Sequence, residues 1–266
     1  MGIFQKEMKK SWLETKKNPI LFAPKIFSIT LSIIILTVLL SSIGVFGEFA
    51  KSGFSVERLG LILKSLVFTL PFWIYLIIEI IISVFFSGMS LGMYKDITLK
   101  KKTSLKKGFN YGIKYFWNII KISILYYILI GVALFALVYA VKIFALFNIF
   151  LSLAIFSFYL ILILYWLFLV ILRLFFVYAA MVFGKGGALQ SVRIGAQFGK
   201  IHFKHTLITW LIVVGIYLLV NLTKQPVVSN NHILITLIAI LFFTILEIVV
   251  SVWEHVFVFN MYLDDE

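Results

Sequence analysis

The sequence contains no cysteine and little charge. Without a thiol there is no disulfide framework, no thiolate metal site and no cysteine nucleophile. Charged residues are 13% of the 266 positions, about half the share of a soluble domain. Long polar connections are scarce too: on one side only 44–64 exceeds about a dozen residues, so no soluble domain is expected between the apolar segments. No zinc-protease pair, nucleophile elbow or dinucleotide fingerprint is found. The "GKGG" at 184–187 lacks the strand, spacing and trailing Ser/Thr of a phosphate loop. The basic N-terminus lacks a short apolar core ending in a small-residue cleavage site, so a removable signal peptide is not expected. No enzyme activity, cofactor or metal site is expected.

What the chain does have is apolar surface. Apolar residues reach 62% and aromatics 17%, with 28 phenylalanines. A soluble fold of this length cannot hide that much, so the solvent for most of the chain is lipid. Runs of about 20 apolar residues give six spans, at 20–43, 66–94, 116–141, 147–183, 206–222 and 233–263. Backbone groups left unsatisfied in hydrocarbon are costly, so these are predicted helices. The alternation of a membrane barrel is missing. The fold class is all-α, a polytopic bundle of six transmembrane helices.

Lysine and arginine are unevenly distributed. The N-terminal arm and the second and fourth connections carry 16, against five on the opposite face. The positive-inside rule places both termini in the cytoplasm of a multi-pass cell-membrane protein. Lys100, Lys101, Lys102, Lys106 and Lys107 are expected to meet anionic headgroups. The expected partners are the bilayer with its anionic lipids, and other membrane subunits or further copies of the chain. Nucleic acid would need a folded basic module, which is not seen.

The basic segments are also amphipathic. Phe4, Met8 and Trp12 form one helical stripe; Leu105, Phe109, Gly112/Ile113 and Phe116 form another; Leu189, Val192, Ala196, Gly199 and Phe203 form a third. Each precedes an odd-numbered span. In register, Ser11, Gly108 and Ser191 align, as do Thr15, Gly112 and Gly195, followed by Lys25, Lys121 and Lys204. This predicts one membrane domain of three repeats, 3–96, 104–185 and 187–266, each an interfacial helix and two spans. The run "KKSWLETKKNPILFAPKIF", echoed by "GALQSVRIGAQFGKIHF", resembles a broad group of archaeal and bacterial six-span proteins. That group is similar to the membrane domain attached to some glycerophosphodiester phosphodiesterases. The resemblance implies architecture alone, because the catalytic domain is not present and no site residues carry over.

The even spans place Glu79, Arg173 and Glu247 in apolar surroundings. Charge at mid-bilayer is expensive, and one guanidinium serving two carboxylates is the simplest expected arrangement. Polar residues line a stripe on the second span (Tyr75, Glu79, Ser83, Ser87, Ser90) and on the sixth (Thr244, Glu247, Ser251, Glu254, His255). Glu254 and His255, being adjacent, are expected on different faces. His202 and His205 could bind a metal only with a third ligand, which the sequence does not place. The expected role is a non-enzymatic scaffold or accessory subunit; the alternative is a transporter or channel using the polar stripes.

Overall fold

Branched and aromatic runs enter lipid only when each backbone amide is bonded within its own segment, which leads to helices. The computed structural model describes residues 3–45, 69–144, 149–184, 186–228 and 233–265, and among them every regular element is helical. The order is α1 (Ile3–Lys17), a 3-10 turn (Pro19–Phe22), α2 (Ala23–Ser42), α3 (Leu70–Thr98), α4 (Leu105–Phe144) and α5 (Ile149–Leu174). Then come α6 (Val177–Phe183), α7 (Ala188–Ile201), α8 (Phe203–Val228) and α9 (Ile233–Asp265). Six stretches are long and apolar enough to cross a membrane: Pro19–Ser42, Leu70–Thr98, Leu105–Ala136, Phe156–Phe183, Phe203–Lys224 and Ile238–Asp264. The chain is an all-α, multi-pass membrane protein. The connection at 46–64, the expected span start at 66–68 and Lys185 lie outside the described residues.

Two boundaries differ from the sequence expectation, each for a local reason. The second interfacial segment is not a separate helix, because α4 continues from Leu105 into its span without a break. Between Gly112 and Gly131 no proline or glycine interrupts it, whereas Pro19 and Pro24 separate α1 from α2. Conversely, the fourth span is broken between Leu174 and Val177. Elsewhere α3 ends in a reversal in which Lys101 N–H reaches Asp96 O at 2.7 Å and Lys100 N–H reaches Ile97 O at 2.8 Å. Lys100 adopts φ 54° there, the left-handed conformation such caps require.

The chain divides into two compact units, and their boundaries fall elsewhere than those of the expected repeats. The smaller comprises Pro19–Met93 and Thr103–Phe116. In it the start of α4 lies close along α3: a side chain at Gly112 would meet the Phe85 ring at 2.7 Å, and one at Gly108 the Met93 sulfur at 2.7 Å. Leu105, Phe109 and Ile113 face outward.

The larger unit comprises Met1–Asn18, Tyr94–Lys102 and Trp117–Glu266. There α1 packs on α9 with its polar face inward: Glu7, Ser11 and Thr15 are buried, while Trp12 and Leu13 are exposed. The fully buried Asn260 of α9 donates to Ser11 Oγ and Glu14 Oε2, both at 2.9 Å. Trp253 Nε1 donates to Met8 O at 3.4 Å. Helix α7 packs on α6 in the same sense, burying Ser191, Gly195 and Gly199 and exposing Leu189 and Ile201. Phe176, Phe198 and Tyr262 fill the space behind it, with Phe198 and Tyr262 centroids 4.6 Å apart.

Contacts this close make small residues obligatory. A Cβ at Gly195 would lie 2.8 Å from Val177 Cα and 2.9 Å from Val177 N, which are backbone atoms that cannot rotate away. Gly195→Ala is therefore expected to destabilise by about 1–3 kcal/mol, even though alanine favours helix by about 1 kcal/mol. Gly108→Ala should cost less, since the methionine it meets can move. Thermal unfolding of both variants in detergent checks the order.

Glu14 supplies a pH test, because it lies in α1, outside the apolar spans. Burial pushes its carboxyl above the usual value, opposed by the Asn260 hydrogen bond and by Lys10. The folded chain thus holds this proton more tightly than the unfolded chain. The associated stability is complete below the ordinary carboxylate range and is lost as pH rises through the raised value. Glu14→Gln, which keeps an acceptor for Asn260, is expected to raise the melting temperature at pH 7 by about 1–3 °C. Melts at pH 4 should show no such gain.

Candidate functional site

The break in the fourth span positions the site. Helix α5 ends in a tight turn, Phe175 N–H reaching Leu172 O at 3.4 Å, and α6 begins two residues later. A helix end leaves carbonyls without amide donors, and in lipid these need another partner. Tyr126 of α4 supplies one, its hydroxyl donating to Leu174 O at 2.7 Å. The Tyr126 and Tyr178 rings stack at 6.5 Å and 14°. Beside this junction is a cavity of about 430 Å³. Ser123, Tyr126, Tyr127 and Ile130 line it from α4; Ile171, Phe175, Tyr178 and Ala179 line it from the broken span; Glu254, His255, Val258 and Phe259 line it from α9.

The polar groups at the cavity are held in place. Tyr217 of α8 donates to Glu254 Oε2 at 2.8 Å. His255 Nδ1 lies 2.7 Å from Ser251 O. A carbonyl only accepts, so Nδ1 carries the hydrogen of this bond. Tyr94 packs its ring 5.5 Å from the imidazole. A carboxylate with a phenol donor, next to an imidazole and several aromatic rings, can hold a cation or pass a proton. The expectation that Glu254 and His255 serve different faces is corrected here: side chains 100° apart both border one cavity because it lies across the ridge between them.

Of the expected Glu79–Arg173–Glu247 arrangement, the pairing of Arg173 with Glu247 is corrected. Glu247 takes Lys224 of α8, Nζ to Oε1 at 2.7 Å. Glu79, in the smaller unit, accepts from Ser32 of α2 at 2.8 Å. Arg173 is exposed in the last turn of α5. The reason is the break: the expectation treats the fourth span as one rod with Arg173 at mid-depth, whereas the helix ends one residue later, where a cation complements the carbonyl end of the dipole.

Of the polar stripes, Ser83 and Ser87 are exposed, and Tyr75 is half-buried beside them on α3. The Thr244 hydroxyl turns back to Ile240 O at 2.7 Å. Ser251 is buried, and its carbonyl holds the ring of His255, which lines the cavity with Glu254. Lys100, Lys101, Lys102, Lys106 and Lys107 are exposed where α3 passes to α4. His202 stacks on Phe198 at 4.6 Å, and His205 meets the Phe4 ring edge-on at 5.6 Å.

Sequence reasoning passed over Tyr126, Tyr178, Tyr217, Lys224 and Asn260. The signal available was the phenol: a tyrosine deep in an apolar run keeps a hydroxyl that needs a partner. Nothing in the spacing pairs Tyr217 with Glu254 or Lys224 with Glu247, since each pair lies across two helices. No protein-family model matches this sequence, and neither a curated protein nor a solved structure matches it.

The Lys224–Glu247 pair can be tested as a cycle. Removing one partner leaves the other charge without its counterion, so Glu247→Gln is expected to cost about 1–3 kcal/mol. Adding Lys224→Met should recover most of that loss. Unfolding of the two singles and the double in detergent gives the coupling.

Proposed function

We propose that this protein is a non-enzymatic membrane scaffold or accessory subunit that clamps one leaflet through three interfacial helical segments. One observation carries the reading. At all three segments the small or polar stripe is turned into the protein, at Ser11 and Thr15, Gly108 and Gly112, and Ser191 and Gly195. The apolar stripe is turned out, with Trp12 49%, Phe109 53%, Trp117 66% and Leu189 79% exposed. In water this arrangement is unfavourable; at a headgroup boundary it seats each apolar face in acyl chains and leaves basic flanks at the phosphates. The recurrence of one pairing supports a threefold repeat: the segment at 105–116 packs on the second span, α7 on the fourth and α1 on the sixth. In this reading both termini face the cytoplasm of a cell membrane, and the lysines between α3 and α4 bind anionic lipid.

The absence of native cysteine makes a labelling test clean. Single cysteines replacing Leu13, Phe109 or Leu189 are expected to carry an environment-sensitive maleimide dye into an apolar setting in liposomes containing anionic lipid. Dyes at Lys17, Lys106 or Arg193 should report water. Matching spectra for the two sets would refute the clamp. An impermeant thiol reagent should reach Lys101→Cys from the cytoplasmic side alone.

A second reading, passage of a small solute or proton, is favoured by the cavity beside Glu254 and His255. It requires flux in proteoliposomes that Glu254→Gln abolishes.

A further inference from the structure

The cavity on the broken span has a lining that selects by charge. Tyr126, Tyr127, Phe175, Tyr178 and Phe259 bring five aromatic rings to it, Glu254 brings a carboxylate, and among the described residues lining it there is no lysine or arginine. Ring faces carry negative potential and attract ammonium groups, most strongly where water is excluded. The Glu254 carboxyl sets acceptor oxygens beside the rings, the partner an ammonium group takes. It is fixed in position by Tyr217, whose hydroxyl uses one of about four lone-pair directions a carboxylate offers. An anion would meet the Glu254 oxygens with no lysine or arginine among the described lining residues to receive it. No group of three or more metal-type ligands exists among the described residues, and about 430 Å³ is the size of an organic ligand site. Ile130, Ile171, Ala179 and Val258 add hydrocarbon walls, and Ser123 and His255 are the other polar residues of the lining.

We propose that this cavity binds an organic ammonium group, with the cation among the aromatic rings next to Glu254 and its alkyl substituents on the aliphatic walls. The chemistry is shared by a free alkylated amine and by the amine head of an amphiphile. This inference does not depend on the leaflet clamp, since it concerns side chains of α4, α5, α6 and α9 that the interfacial segments do not supply.

The test uses the full chain in an uncharged detergent, with ligand binding followed by saturation-transfer NMR and by thermal stabilisation. The probes are choline, its uncharged isostere 3,3-dimethylbutanol, and octyltrimethylammonium; sodium chloride at matched ionic strength is the control. Saturable binding is expected for the two cations, with the uncharged isostere about tenfold weaker. That comparison requires no mutation. Glu254→Gln, which can still accept from Tyr217, should weaken both cations by about tenfold as well. Ile130→Trp, filling the cavity, should remove binding while leaving the melt cooperative. Tighter binding of octyltrimethylammonium than of choline assigns an amphiphile head as the source; equal binding assigns a free amine. Absence of saturable binding, equal binding of choline and its isostere, or unchanged affinity in folded Glu254→Gln would overturn the proposal.

Discussion

The structure depends on a reversal of the usual amphipathic rule. When the surrounding medium is hydrocarbon or its boundary, burying apolar groups inside the protein brings little advantage, and what must be hidden is backbone and polar surface. Hence Glu7, Ser11 and Thr15 of α1 lie inside, against α9, and Trp12 lies outside. Contact is then made by shape and by hydrogen bonds. Gly195 and Gly199 allow α7 to approach the backbone of α6 and the end of α5 to about van der Waals distance, while Asn260 ties two polar residues of α1 to the last span. Substituting larger apolar residues on those inner stripes would be conservative by hydropathy and disruptive by geometry.

The same constraint explains why a broken span coincides with a polar cavity. A helix that stops within an apolar stretch exposes carbonyls, and these draw hydroxyl donors such as Tyr126 to the place. Once phenols gather, a carboxylate is less costly there, and Glu254 finds its donor in Tyr217. The cavity, the break and the polar groups are thus one feature with one cause. Glu247, further along α9, is balanced separately by Lys224.

Much of this was readable in the residues. Six apolar runs in a chain with 13% charge leave few alternatives to a helical membrane bundle, because water cannot solvate them and lipid admits no open sheet. The register of Ser11, Gly108 and Ser191 was legible, but the direction it faces was not: Gly112 and Gly199, read as part of the apolar stripes, are turned inward against Phe85 and the end of α5. The partners of the charged groups were not legible. Arg173 looked central because an unbroken 147–183 run hides the point where the helix stops; no proline or glycine marks Phe175 or Phe176.

By itself, then, the sequence determined the solvent, the helical class and the number of spans. These follow from composition and from the length of the apolar runs, both local. The tertiary structure alone decided that Glu247 meets Lys224, that Tyr217 meets Glu254, and that Glu254 and His255 border one cavity with tyrosines from α4 and α6. The two bonds join residues 23 and 37 positions apart and the cavity gathers residues from Ser123 to Phe259, and the rotation and depth of one helix against another is fixed by packing, which no periodicity along a single helix encodes.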